Sequence, residues 1–272
     1  RHLRILRTAQ SGGRGKTVIR NPEKEDVSGM ICVGCTDIGT KRKNNQDTFR
    51  IEQTDLYAYA VVCDGMGGAK GGSVASTLAA DTFARAVRGA MKKRKSSPTS
   101  GDLRRIMISA LEDANRAVYE LAVSDIELEG MGTTLVAFLD SGNAKTVVLN
   151  VGDSRLYKLS NGRLTQISKD HSFVQFLIDN GAITREEARV HPNRNIILRA
   201  VGINDNAEGD IFFTDSYDML LMCTDGLTNV VTEDEIAAGL CENMDLDSKC
   251  RKLIDLAISK GSNDNITVVL YG

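Results

Sequence analysis

Five aspartates stand where apolar runs start or stop. Val61-Val-Cys-Asp64-Gly-Met-Gly-Gly68 carries Asp64 at the end of such a run and the start of a Gly-rich turn. Leu220-Leu-Met-Cys-Thr-Asp225-Gly-Leu227 repeats the arrangement, and Val148-Leu-Asn-Val-Gly-Asp153 is a third case. Asp264 inverts it by preceding the run Ile266–Tyr271, and Asp47 leads into Thr48–Gln53. Carboxylates brought together at strand ends repel one another, and burial adds a desolvation cost. Cations remove that conflict. An all-oxygen ligand set selects hard ions such as Mg²⁺, Mn²⁺ or Ca²⁺. A water bridging two such ions becomes a nucleophile near neutral pH. Asp-Gly pairs are also common turn residues, and that reading suffices for Asp140 and Asp218. It does not explain why Asp64 and Asp225 each terminate a fully apolar run.

The elements that must position these residues are legible from periodicity. Met30–Thr36, Thr48–Gln53 and Leu56–Cys63 read as strands. Gly72–Lys95 and Asp102–Ser124 carry apolar residues at helical spacing, with Asp102 expected as a cap. Strands return at Thr133–Asp140, Ala144–Val151, Arg155–Leu159 and Arg163–Gln166, with Asn161-Gly162 as a hairpin turn. Short helical pieces fall at Phe173–Asn180 and Thr184–Ala188, inside an otherwise irregular stretch. Strands at Ile211–Thr214 and Met219–Cys223, helices at Thr232–Leu240 and Asp247–Lys260, and a last strand at Ile266–Tyr271 complete the order. Helices segregate from hairpin-linked strands, which predicts an α+β fold with antiparallel sheets.

The chain has 272 residues and a formal net charge of −2, so no strong field draws it to nucleic acid or an anionic membrane. No apolar run approaches the roughly 20 residues that span a bilayer. Six cysteines are scattered, and Cys32-Val-Gly-Cys35 lies in a strand pattern that points its two thiols to opposite faces. Buried, reduced cysteines and a cytoplasmic setting are expected. Residues 1–29 show no hydrophobic period and read as a flexible basic arm before a single domain at 30–272. The first residue is Arg rather than Met, as expected either of a fragment or of residues left by an expression tag. Gly65-Met-Gly-Gly-Ala-Lys-Gly-Gly-Ser73 suggests a phosphate loop, but it satisfies neither GxxxxGK[ST] nor GxGxxG.

Taken in order, these segments resemble the PPM/PP2C family of metal-dependent protein phosphatases in its bacterial form. The carriers are Thr36-Asp-Ile-Gly-Thr-Lys-Arg-Lys-Asn-Asn-Gln-Asp47, Asp64-Gly-Met-Gly-Gly68, Gly130-Met-Gly-Thr-Thr134, Gly152-Asp-Ser-Arg155, Asp225-Gly-Leu227 and Asp264-Asn265. The resemblance implies a four-layer αββα sandwich and a flap at about residues 171–206. It implies hydrolysis of phosphoserine and phosphothreonine by direct attack of a metal-bridging water, with two Mn²⁺ or Mg²⁺ ions and a third in some members. Asp64 would bridge the central ions, with the Gly65 carbonyl on one and Asp225 and Asp264 on the other. Asp47 would act on the Gly65-side ion, Asp153 with Asp225 would hold the third, and Arg42 would grip the substrate phosphate. No phospho-enzyme is expected, because no nucleophile sits beside an activating base.

Met66 departs from the animal-type pattern, in which a His follows the Asp-Gly pair and serves as general acid. His171 and His191 read as structural rather than as substitutes. Expected partners are phosphorylated Ser/Thr proteins, including a cognate Ser/Thr kinase, with the chain a monomer. The competing reading is a pseudophosphatase that binds phosphoproteins, and the retention of all five aspartates argues against it.

Overall fold

Continuous apolar runs become central strands here because both of their faces are covered. The computed structural model describes residues 17–20, 29–94 and 96–272. One antiparallel sheet has the order β1 (Thr17–Arg20), β2 (Cys32–Asp37), β12 (Ile266–Tyr271), β11 (Met219–Cys223), β8 (Arg155–Ser160), β9 (Arg163–Gln166). The other runs β10 (Asp210–Thr214), β7 (Thr146–Val151), β6 (Leu135–Asp140), β4 (Ala58–Met66), β3 (Asp47–Gln53), with the short β5 (Gly132–Thr133) on the end of β4. β4 shows why the run is unbroken: Tyr59, Val61 and Cys63 face the helices, while Ala58, Ala60 and Val62 face the opposite sheet.

Helices α1 (Gly68–Lys92) and α2 (Ser100–Ser124) cover the second sheet through Phe83, Met107 and Leu111 against Leu135 and Leu149. Helices α6 (Glu233–Cys241) and α7 (Leu246–Ser259) cover the first through Ile236, Leu253 and Ile254 against Leu221 and Val268. Between the sheets lie Phe49, Phe138, Leu156, Met222 and Tyr271, with the Phe138 and Tyr271 rings stacked at 4.9 Å. The architecture is the four-layer αββα sandwich that the resemblance implied. Cys32 enters the inter-sheet core and Cys35 the core beneath α7, so the strand does part the two thiols.

Several boundaries differ from those read in the sequence. Thr17–Arg20, assigned to a flexible arm, form β1 and pair antiparallel with β2 from Thr17↔Thr36 to Arg20↔Val33. A β-branched Thr-Val-Ile stretch meets a sheet edge that otherwise leaves its N–H and C=O groups unpaired. The rest of the proposed arm, residues 1–16 and 21–28, lies outside the described residues. α1 starts at Gly68, earlier than expected, and its expected end at Lys95 also lies outside the described residues. Asp102 is not the cap of α2. Thr99 caps it, and Asp102 closes a reciprocal capping box from the third helical position. Cys241 is exposed, whereas the other five cysteines are buried. Among the described residues no helix is long and apolar enough to cross a membrane.

The irregular stretch after β9 holds α3 (Phe173–Asp179) and α4 (Arg185–Val190), near the two short helices expected there. It exposes Phe176, Val190, Ile196 and Leu198 yet is fastened at both ends. The His171 amide donates to the Gly152 carbonyl at 2.9 Å, Ser172 bridges to Ile197 within the stretch, and Val201 bridges to Thr133 of β5. Buried Asn115 of α2 accepts from the Gly202 amide at 2.7 Å and donates to the Asn204 and Asp205 carbonyls at 3.0 Å. Replacing it leaves a buried amide and two carbonyls without their partner. Asn115→Ala should therefore lower stability by about 2 kcal/mol in urea denaturation. It should also speed hydrogen exchange at Gly202 while leaving the distant β8–β9 hairpin protected.

Candidate metal centre and active site

Antiparallel pairing puts the start of one strand beside the end of its neighbour, and this gathers the aspartates at one end of the sandwich. Asp47 opens β3 directly opposite Asp64 near the end of β4. Asp153 follows β7, Asp225 follows β11 as the first residue of the short helix α5 (Asp225–Thr228), and Asp264 precedes β12. A pocket of about 760 Å³ opens there, lined by Asp64, Asp153, Asp225 and Asp264 together with Arg42 and Arg194. Gly65 and Met66 also line it, whereas Asp47 stands behind this wall.

Close backbone approach fixes the loops. A Cβ on Gly65 would sit 1.9 Å from the Gly72 carbonyl oxygen, so β4 can turn into α1 at this spacing only with glycine. The Asp64 amide donates to the Thr134 hydroxyl at 2.9 Å, and the Asp64 carbonyl accepts from the Thr134 amide and the Thr133 hydroxyl. Asn265 holds the loop before β3: its carboxamide oxygen accepts from the Gln46 amide at 2.8 Å, and its NH₂ donates to the Ile38 and Asn44 carbonyls. Gly152, at φ 102°, turns the chain from β7 toward Asp153.

The carboxylates are unevenly satisfied. Asp225 accepts from Asn229 at 2.9 Å through one oxygen, and its other oxygen is buried with no hydrogen-bond partner. Asp153 and Asp47 each keep one such buried, unpartnered oxygen. Asp264 is paired with Arg42 at 2.6 Å. Burial first, and then the neighbouring aspartates, push the Asp64 carboxyl well above its ordinary range. The same causes lift Asp153 to about 8. Asp225 rises to about 6, chiefly by burial and the Asp264 charge. Asp47 rises to about 7 by burial, although the Thr267 and Thr224 hydroxyls pull it back. Charged oxygens that no donor reaches, crowded by like charges, suit a hard divalent cation. Among the described residues no three His, Cys, Asp or Glu side chains form a metal-holding group.

Arg42 lies at the pocket mouth, half exposed, and its guanidinium feels Asp64 and Asp225 as well as Asp264. No histidine lines the pocket among the described residues. His171 is buried behind it: its Nδ1 accepts from the Gly152 amide at 3.2 Å, so Nε2 carries the hydrogen and faces Asp210 at 3.2 Å. Burial holds this imidazole below its usual pKa. It braces the turn that presents Asp153, a structural role. Arg155, in the Gly152-Asp-Ser-Arg155 motif, grips buried Asp170 through Nε and Nη2 at 2.7–3.0 Å. The sequence reading missed Thr224, Thr267, Asn265 and Thr134, whose polar atoms hold the site. Thr224 and Asn265 adjoin aspartates and Thr134 ends the Gly130–Thr134 motif, whereas Thr267 carried no signal beyond its place in the last strand.

Residues 39–253 match the family profile of protein phosphatase 2C. The serine/threonine phosphatase stp of Listeria welshimeri is 39% identical over 238 residues, which cover 86% of this chain and 92% of that protein. The crystal structure of the serine/threonine phosphatase Stp1 from Staphylococcus aureus superposes with a TM-score of 0.82 at 33% identity, covering 93% of this chain and 99% of that one. The catalytic domain of the serine/threonine protein phosphatase PstP, in complex with 2 manganese ions, superposes with a TM-score of 0.74 at 33% identity, covering 89% and 97%.

Carboxylate repulsion in the pocket opposes folding of the metal-free chain. Asp225→Asn removes one charge and keeps the shape. In EDTA at pH 8 its Tm should rise by about 2–4 °C over the unsubstituted protein. Added Mn²⁺ should then raise the Tm of the unsubstituted protein but hardly move that of the variant. Both are read by differential scanning calorimetry.

Proposed function

The chain belongs to the protein phosphatase 2C family in its bacterial form and is a protein serine/threonine phosphatase with metal-dependent catalysis, and from that premise we propose which residues carry the reaction. The observation behind the assignment is that Asp47, Asp153 and Asp225 each keep a buried oxygen without a hydrogen-bond partner; Asp153 and Asp225 line the pocket with Asp64 and Asp264, and Asp47 pairs opposite Asp64 just behind it. Asp64 would be shared by two Mn²⁺ or Mg²⁺ ions. The Gly65 carbonyl would complete one, and Asp225 and Asp264 the other. Asp47 would serve the Gly65 side, and Asp153 with Asp225 a third ion. Bound there, the ions would activate water as the nucleophile and neutralise charge on the phosphoryl oxygens.

The chain's own groups do the rest. Arg42 stands at the mouth, where its planar fork can take two phosphoryl oxygens of the incoming phosphomonoester. Met66 lines the pocket beside the Asp64-Gly65 pair and has no proton to give, and His171 is buried behind the wall. In this reading a water at the site supplies the proton to the leaving serine or threonine oxygen. The flap contributes Arg194, Asn195 and Ile197 to the pocket, so it meets the polypeptide around the phosphorylated residue. Phosphoproteins are the substrates, and the opposing enzyme is a Ser/Thr kinase of the same cell. Six unpaired cysteines favour a reducing, cytoplasmic setting.

Phosphate release from a phosphothreonine peptide should require Mn²⁺ or Mg²⁺ and stop with excess EDTA. Asp64→Ala and Asp225→Ala should abolish it, and substantial metal-stimulated turnover in either variant would refute the ligand assignment. Arg42→Ala should lower kcat/KM by roughly thirtyfold, about 2 kcal/mol of charge-assisted hydrogen bonding, mainly through KM. An unchanged kcat/KM would remove the phosphate-clamp role.

A further inference from the structure

Asp47 is the one aspartate of the set that does not line the pocket, and it is held by groups from the opposite sheet. Its Oδ2 accepts from the Thr267 hydroxyl at 2.7 Å and from the Thr224 hydroxyl at 2.9 Å. Both threonines are fully buried. Thr267 lies on β12, and Thr224 directly follows β11. A third threonine, Thr36 on β2, pairs in register with Thr267, and the two hydroxyls are 2.8 Å apart.

The hydrogens in this network run one way. Asn45 donates through Nδ2 to Thr36 at 2.8 Å, so the Thr36 hydroxyl is free to donate to Thr267. Thr267 in turn donates to Asp47. Thr224 receives the Thr267 amide at 3.0 Å and donates its own hydrogen to the same Asp47 oxygen. The Asp47 amide closes the ring on Asn45 Oδ1 at 3.1 Å. Two donors converge on Oδ2, which leaves Oδ1 as the buried oxygen with no partner. A serine or threonine hydroxyl has one hydrogen to give, and here each is committed toward the carboxylate.

We propose that the Thr224 and Thr267 hydroxyls are positioning residues for catalysis: they pin Oδ2 of Asp47 so that Oδ1 is the oxygen offered to the metal centre. Thr36 and Asn45 set the direction of the chain of hydrogen bonds that supports them. The inference rests on Asp47 serving that centre. Outer groups that orient a metal ligand typically change metal affinity by about 10- to 100-fold when removed. A threonine that merely packed a strand end would change stability and leave affinity alone.

The test uses the whole chain and Mn²⁺ alone, with binding read by calorimetric titration and by the Mn²⁺-induced rise in Tm, neither of which needs turnover. Thr267→Val and Thr224→Val keep shape and lose the hydroxyl. Each should weaken Mn²⁺ binding about tenfold. KM for a phosphothreonine peptide at saturating Mn²⁺ should stay unchanged. Thr267→Ser and Thr224→Ser restore the donor and should bind Mn²⁺ like the unsubstituted protein. Thr36→Val acts one link further out and should weaken binding by roughly threefold. In an Asp47→Asn background, Thr267→Val should add almost nothing. Folded valine variants that bind Mn²⁺ normally would overturn the proposal. If the valine variants fail to fold, serine variants with weakened binding, or normal binding by Thr36→Val, would overturn it. Absence of any Mn²⁺ effect on the unsubstituted protein would instead sink the metal centre itself, a different failure.

Discussion

The structure turns on a repulsion. Five carboxylates are collected at one end of a sandwich whose interior is otherwise apolar, and hydrogen bonds satisfy them only in part. Left alone, such a cluster raises the proton affinity of its own members, as Asp64, Asp153, Asp47 and Asp225 all show. Divalent cations relieve the same conflict and draw catalytic use from it.

Holding the carboxylates against that repulsion requires a stiff frame. The two sheets supply it through three separate apolar layers, one between them and one under each pair of helices. The open end is stitched by polar contacts that cross from sheet to sheet. Thr224 and Thr267 reach Asp47, and Asn265 binds the loop that leads into β3. Glycine closes the remaining gaps: a Cβ on Gly226 would fall 1.9 Å from the Asn265 carbonyl oxygen. A side chain at that position would force the two segments apart. The flap is built differently. It is fastened at both ends but presents exposed apolar side chains between them.

The aspartates, the strands that end in them and the α+β class were all legible in the sequence, because each rests on local pattern. An apolar run that stops at Asp-Gly is a property of consecutive residues, and strands β9, β11 and β12 were placed to the residue for the same reason. The capping residue of α2 was misplaced because Thr99 and Asp102 form a reciprocal pair, in which either can look like the cap. Thr17–Arg20 looked like part of an arm because a short strand is stabilised by the edge it joins, and that edge is not written in its own residues.

The tertiary structure alone decided how the site is held. Asn265 and Gln46, or Thr224 and Asp47, are separated by roughly two hundred residues and meet only because antiparallel pairing returns distant strand ends to one place. A threonine beside an aspartate carries no sign of whether its hydroxyl faces solvent or a carboxylate across the sandwich. Side-chain direction depends on strand register and on which sheet lies opposite, and neither is fixed by neighbours along the chain. The sequence determined which carboxylates stand at the ends of apolar strands. Only the packing of one sheet on the other decided that Asp47, Asp153 and Asp225 would each keep a buried oxygen that no donor reaches.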